Sequence, residues 1–170
     1  MELTYAAARQ YAVGFDGEST NLLLQGGTGL GKTFLSGCIA RTVSEQGYGV
    51  VYETVQNALG AFEEQKFSRD GETYAAASEK VKRILECDLL ILDDLGTELT
   101  TGFTQSALYN IINSRLTANK KTVISTNLTD AELAARYIPQ IVSRIGGEFD
   151  TLVFMGQDIR SIKKERRYKD

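Results

Sequence analysis

The chain has 170 residues and a net charge of −3, from 19 Lys+Arg against 22 Asp+Glu. With 42% hydrophobic and 24% charged residues, it has the composition of one folded domain that can bury roughly 70% of its unfolded surface, which excludes a disordered or Pro-rich segment. The absence of histidine excludes a Ser-His-Asp triad, a Cys-His dyad and His-ligated zinc.

Residues 1–15 place Leu3, Ala6, Ala7, Gln10, Tyr11 and Val13 as in a short amphipathic helix, which Gly14 and the Asp16-Gly17-Glu18-Ser19 run end. Residues 21–25, with Leu22-Leu23-Leu24, suit a strand covered on both faces. A Gly-rich turn fills 26–31, and 32–46 reads as a helix with Leu35, Ile39 and Val43 on one face and Gly47 as its stop. Residues 49–53 form a second strand, followed by helices over 54–67 and about 73–86. The run 88–92 is a third apolar strand that ends in two aspartates. A helix over 103–117 precedes a fourth strand at 121–125; short helices at 130–137 and 140–145 precede a fifth strand at 151–155. Continuous apolar strands alternating with helices predict an α/β fold, a parallel sheet covered on both faces. From residue 160 onward the tail holds six basic and two acidic residues, +4 on a body of −7. That is not the profile of a strong duplex-DNA binder, so any nucleic-acid contact is expected to be local. No apolar run approaches the ~18 residues of a membrane span, there is no secretory pattern, and Cys38 and Cys87 form no cluster. A cytoplasmic protein with reduced thiols is expected.

Gly26-Gly27-Thr28-Gly29-Leu30-Gly31-Lys32-Thr33 matches G-x-x-x-x-G-K-[ST], the P-loop, after a strand and opening a helix. Glycines let the backbone wrap closely enough for its N–H groups to face phosphate oxygens, and the helix start adds its positive dipole end. The cradle is taken to run from Gly26 through Phe34, with Lys32 reaching the β and γ phosphates of ATP and the Thr33 hydroxyl a ligand of Mg²⁺. The competing reading is a Gly-rich turn that binds nothing. Asp93 and Asp94 end the apolar run of 89–94 in the Walker B pattern, at the carboxyl end of a parallel strand where ligands bind. Asp93 is the candidate for holding Mg²⁺, and Asp94 for orienting or deprotonating the attacking water. Asn127, at the end of the fourth strand, is a candidate to touch the γ-phosphate or that water; a helix cap or turn residue is its alternative.

These runs, together with Leu95-Gly96-Thr97-Glu98, Ser125-Thr126-Asn127-Leu128, Ile141-Val142-Ser143-Arg144-Ile145 and Gly156-Gln157-Asp158-Ile159-Arg160, resemble the DnaC/DnaI-type helicase loaders of the AAA+ class. The resemblance implies that 1–170 is one AAA+ ATPase domain, a P-loop NTPase with a five-stranded parallel sheet and little or no helical lid. In it the strand ending at Asn127 lies between the P-loop and Asp93 strands. It implies Asn127 as sensor 1, Arg144 as an arginine finger reaching a neighbouring subunit's γ-phosphate, and Arg160 as the sensor 2 arginine. It further implies a replicative helicase and single-stranded DNA as partners, and self-association through the trans arginine. The alternative for Arg144 is an exposed helix arginine, and for Arg160 the start of a solvated tail. Lys66, Arg69, Lys80, Lys82 and Arg83, interleaved with Phe62, Phe67 and Tyr74, either grip a DNA backbone and stack bases or belong to a helix pair whose aromatics are core. Glu98 reads as a surface carboxylate rather than a second water-handling acid.

Many ATPases of this kind carry Glu where Asp94 stands; Asp is one methylene shorter, which predicts slow hydrolysis. Only about twenty residues precede the first strand, so the chain is expected to be an excised ATPase domain or a naturally short relative. Three other readings stay open: a transposase-helper ATPase of the IstB type, a small-molecule phosphotransferase, for which no lid segment is evident, and a nucleotide-dependent binding module with little hydrolysis.

Overall fold

The apolar runs assemble into a single sheet in the computed structural model, which describes residues 2–156 and 158. The elements in chain order are α1 (Glu2–Val13), β1 (Asn21–Gly26), α2 (Lys32–Glu45), β2 (Val50–Thr54), α3 (Val55–Phe67), α4 (Gly71–Glu86) and β3 (Leu89–Leu95). They continue with α5 (Gly102–Thr117), β4 (Lys121–Thr126), α6 (Asp130–Arg136), α7 (Pro139–Glu148) and β5 (Phe149–Phe154). The strands run parallel in the order β2-β3-β4-β1-β5. β4 therefore separates the strand before the P-loop from the strand carrying the two aspartates.

Strand parity divides the core in two. Leu22, Leu24, Leu89, Ile91 and Val123 pack with Ala8, Ala12, Leu35, Ile39 and Val43 of α1 and α2. Leu23, Leu90, Leu92 and Ile124 point the other way, into residues of α3, α4, α5 and α7. Each buried Leu or Ile contributes about 1.5–3 kcal/mol, and both sheet faces need such cover because both are apolar. Buried Arg115 of α5 ties the far end of β4 to α4, donating to the carbonyls of Ile84 (2.8 Å), Cys87 (3.0 Å) and Lys121 (2.6 Å) and to Thr122 Oγ1 (3.0 Å).

Two strands extend at least two residues beyond their expected bounds. β5 begins at Phe149, which pairs with Asn21 and buries its ring in the core. β3 runs past Leu92 to Leu95 through an irregularity: Leu92 pairs with Ile124 and Leu95 with Thr126, so Asp93 and Asp94 together oppose Ser125. This is a β-bulge, the device that re-aims side chains at the ends of strands beside functional sites. Asp94 sits there with φ at 61°, a left-handed conformation that Asp tolerates better than most residues.

Candidate functional site

The loop between β1 and α2 is built on its glycines. Gly31, the cap of α2, has φ 92°. Gly29 has φ 73°, and a β-carbon placed on it would lie 1.9 Å from Asp158 Oδ1, so the carboxylate of Asp158 packs directly against this turn. Leu30 turns inward and anchors the loop to the core beneath α1 and α2. Thr28, Gly29, Leu30, Gly31, Lys32, Thr33 and Phe34 line a cavity of about 460 Å³ with Asp94, Thr97 and Asn127. Phe34 stands on its rim, 74% exposed. Gly26 and Gly27 do not line this cavity; their carbonyls accept from Lys32 instead.

Lys32 is 5% exposed. Its ammonium donates to the carbonyl oxygens of Gly26 (2.6 Å) and Gly27 (2.7 Å) and to Asn127 Oδ1 (2.6 Å). The lysine is thus folded back on its own loop and linked across to the end of β4. Thr129, not Asn127, caps α6, so the cap alternative for Asn127 falls.

Asp93 is 3% exposed and fully engaged by hydroxyls. Its Oδ1 accepts from Ser125 Oγ of β4 and, at 3.4 Å, from Thr33 Oγ1; its Oδ2 accepts from the Tyr52 hydroxyl of β2 at 2.7 Å. Burial, and then the neighbouring Asp93, push the Tyr52 hydroxyl well above its usual pKa, so it stays protonated and donates. Asp94, half-buried on the cavity wall, has its amide bonded to Ser125 Oγ at 2.9 Å. One serine hydroxyl therefore serves both aspartates of the bulge.

Several expected residues lie elsewhere. Glu98 is a correction: it is 5% exposed and not a surface group, because its carboxylate accepts from the Gly96 amide (2.9 Å) and the Tyr137 hydroxyl. Arg144, on α7, does not line the cavity; its side chain is 43% exposed and 3.8 Å from Glu148. Arg160 lies outside the described residues. Of the aromatics in 54–86, Phe62 is core, whereas Phe67 and Tyr74 are exposed. Phe67 meets Phe103 with ring centroids 5.5 Å apart, and Lys66 Nζ lies 5.0 Å from the Phe103 centroid. Lys80 pairs with Glu53 at 3.1 Å. The sequence gives no site role to Tyr52, and Thr97 and Ser125 enter it only as members of runs. No sequence signal marks Tyr52: its place on the strand next to β3, with Thr54 opposite Asp93, is set by the sheet order.

A family model described as IstB-like ATP binding protein matches residues 8–141. The chain belongs to this family. Among curated relatives of the IstB-like domain, the replicative helicase loader DnaC of Escherichia coli (strain K12) is 23% identical over 138 residues, 81% of this chain and 55% of DnaC. The chromosomal replication initiator protein DnaA of Rickettsia canadensis (strain McKiel) is 31% identical over 149 residues, 85% of this chain and 31% of DnaA. The IstB-like chain thus spans about half the length of the helicase-loader relatives it matches. Among solved structures, that of the DnaC helicase loader superposes with a TM-score of 0.75 at 24% identity, covering 88% of this chain and 87% of the other. DnaI gives 0.76 at 20% identity, covering 91% and 84%. DnaA bound to AMPPCP and single-stranded DNA gives 0.76 at 21% identity, covering 98% and 50%. The fold of the IstB-like domain is the P-loop AAA+ core. Among the described residues no helix is long and apolar enough to cross a membrane.

Proposed function

We propose that this IstB-like domain binds and slowly hydrolyses ATP with Mg²⁺ in the cytoplasm, as the ATPase of a DNA replication protein that loads the replicative helicase and whose ATP state controls assembly on single-stranded DNA. The observation that carries this reading is the convergence of Lys32, Thr33, Asp93 and Asn127 at the carboxyl ends of three adjacent strands. Thr33 Oγ1 and Asp93 Oδ1, 3.4 Å apart, are an all-oxygen pair that fits a hard cation which keeps several waters. Thr33 and Asp93 would hold Mg²⁺, which supplies neutralisation of the phosphate charge when bound.

The chain's own groups divide the remaining work. Amides of residues 28–33 face the phosphates at the start of α2, where the helix dipole favours anions. Lys32 leaves the Gly26 and Gly27 carbonyls for the β and γ phosphates. Asn127, already touching Lys32, gains the γ-phosphate when Lys32 moves. Asp94 orients the attacking water or takes its proton. Arg144 of a neighbouring subunit, with Arg160 of the same chain, offsets charge that grows on the transferring phosphoryl group. The segment 54–86 contacts single-stranded DNA with Lys66 and Arg69 and the exposed rings of Phe67 and Tyr74, since charge plus an aromatic face suits sequence-tolerant stacking.

The test is binding of a fluorescent ATP analogue, alongside phosphate release, for wild type and Lys32→Ala, with and without single-stranded DNA and a replicative helicase. Lys32→Ala is expected to lose affinity and turnover together, and the wild type to speed up with its partners. Unchanged affinity in Lys32→Ala sinks the site; tight binding without turnover leaves only a nucleotide-dependent binding module. The family's IstB description favours one second reading, a transposase helper with the same chemistry. ATP-dependent retention of a transposase, and not of a helicase, decides for it.

A further inference from the structure

We propose that Tyr52 is the positioning residue that fixes Asp93 for magnesium, an inference that rests on the ATP-site reading above. On its β4 side Asp93 sits in a bulge, where the ladder is interrupted, and on its other side Thr54 at the end of β2 is its last ladder partner. The Asp93 carboxylate is clamped from both sides. Ser125 of β4 donates to Oδ1, and Tyr52 of β2 to Oδ2 at 2.7 Å. Among the described residues Tyr52 is the donor to Oδ2, so without it the carboxylate plane is tied by one oxygen only.

The same phenol oxygen lies 3.5 Å from the carbonyl oxygen of Thr33, the other proposed ligand residue. One hydroxyl therefore touches both residues that would hold the ion, through the Thr33 backbone carbonyl and the Asp93 oxygen that does not face the Thr33 hydroxyl. The register explains how it gets there: Tyr52 pairs with Ile91, two residues before Asp93, and a tyrosine ring leaning along the strand spans about that distance. A hydrogen bond from a neutral hydroxyl to a carboxylate at this length is of the strong, charge-assisted kind. Groups that orient a ligating carboxylate typically govern 10–100-fold in metal affinity.

The test is Tyr52→Phe in the 170-residue chain, which keeps the ring and removes the donor. The readout is the magnesium midpoint for binding a fluorescent ATP analogue, with affinity in EDTA as reference and the melting temperature as control for folding. The expected result is a midpoint raised about tenfold, with affinity in EDTA unchanged. Ser125→Ala, which leaves Oδ1 only its longer contact with Thr33 Oγ1, is expected to shift the midpoint in the same direction. A Tyr52→Phe midpoint within about twofold of wild type overturns the proposal, as does an equal loss with and without magnesium. If the wild type itself binds the nucleotide with no dependence on magnesium, the assignment of Thr33 and Asp93 fails, and Tyr52 with it. That outcome is distinct from a failure of Tyr52 alone.

Discussion

Glu98 accepts from the Gly96 amide at 2.9 Å and from the Tyr137 hydroxyl, and Arg136 Nε lies 3.7 Å from its Oε1. The Thr97 hydroxyl between them bonds back to the Asp94 carbonyl at 2.9 Å. The carboxylate thus fastens the turn after the bulge to the junction of α6 and α7. Glu98→Ala would leave a buried hydroxyl and a half-buried amide without their acceptor, at a cost of roughly 2–4 kcal/mol. Urea denaturation checks this; a change under about 0.5 kcal/mol, the size of an ordinary surface substitution, would mean that water replaces the carboxylate. None of this was legible in the run Leu95-Gly96-Thr97-Glu98. A carboxylate after a Walker B strand reads as solvent-facing until Tyr137 is known to arrive from across the fold. The P-loop was legible for the opposite reason: its function resides in local backbone shape, and glycine spacing encodes that shape directly. Tyr52 falls between the two cases, since its strand was legible but the neighbour of that strand was not.

At the level of elements, apolar runs located every strand; burial on both faces leaves no room for alternation in the central β1, β3 and β4, whereas the edge strands β2 and β5 keep half-buried and exposed positions. β3 runs to Leu95, past the expected end at Leu92, because hydropathy reports side chains and the bulge is settled by an amide, that of Asp94, which goes to Ser125 Oγ. Helix starts depend on polar partners that respond to pH. Asp70 caps α4 and accepts from Thr73, and Glu132 closes the box at the start of α6; both carboxyls are held below their ordinary pKa by those hydrogen bonds. Asp88, between β2 and β3, is held low first by Lys120 and then by the Gly49 amide. A carboxyl with a lowered pKa in the folded chain stabilises the fold at pH above its unfolded value and loses that contribution as pH falls through its folded value. Melting temperature is therefore expected to be level near neutrality and to fall as pH drops below about 4. Asp88→Asn should flatten part of that acid slope, and added salt should do the same because the Asp88–Lys120 pair is solvent-exposed. A melting temperature that rises on acidification would contradict the assignment.

For the whole molecule, the sheet order matters more than any single contact. Because β4 lies between β1 and β3, Asn127 meets Lys32 on one side, while Ser125, two residues earlier, meets Asp93 on the other. That order was implied by family resemblance and not by spacing, since strand runs alone do not say which strands are neighbours. The same architecture leaves α7 with Ile141 and Ile145 in the core and Arg144 facing outward, away from its own cavity. We propose that an arginine placed so serves a neighbour's γ-phosphate, which would make turnover depend on assembly. Turnover per subunit is then expected to rise with protein concentration, and Arg144→Ala to abolish the rise, by on the order of 10³ at saturation, while ATP affinity is kept. Mixing gives the sharper test. Lys32→Ala lacks a working site but carries Arg144, and Arg144→Ala has the site without the arginine. Together they should recover turnover that neither shows alone, and replacing the first partner by the double variant should remove it. A mixture no faster than the sum of its parts, beside a wild type that does accelerate with concentration, would assign the acceleration to some other group at the joint.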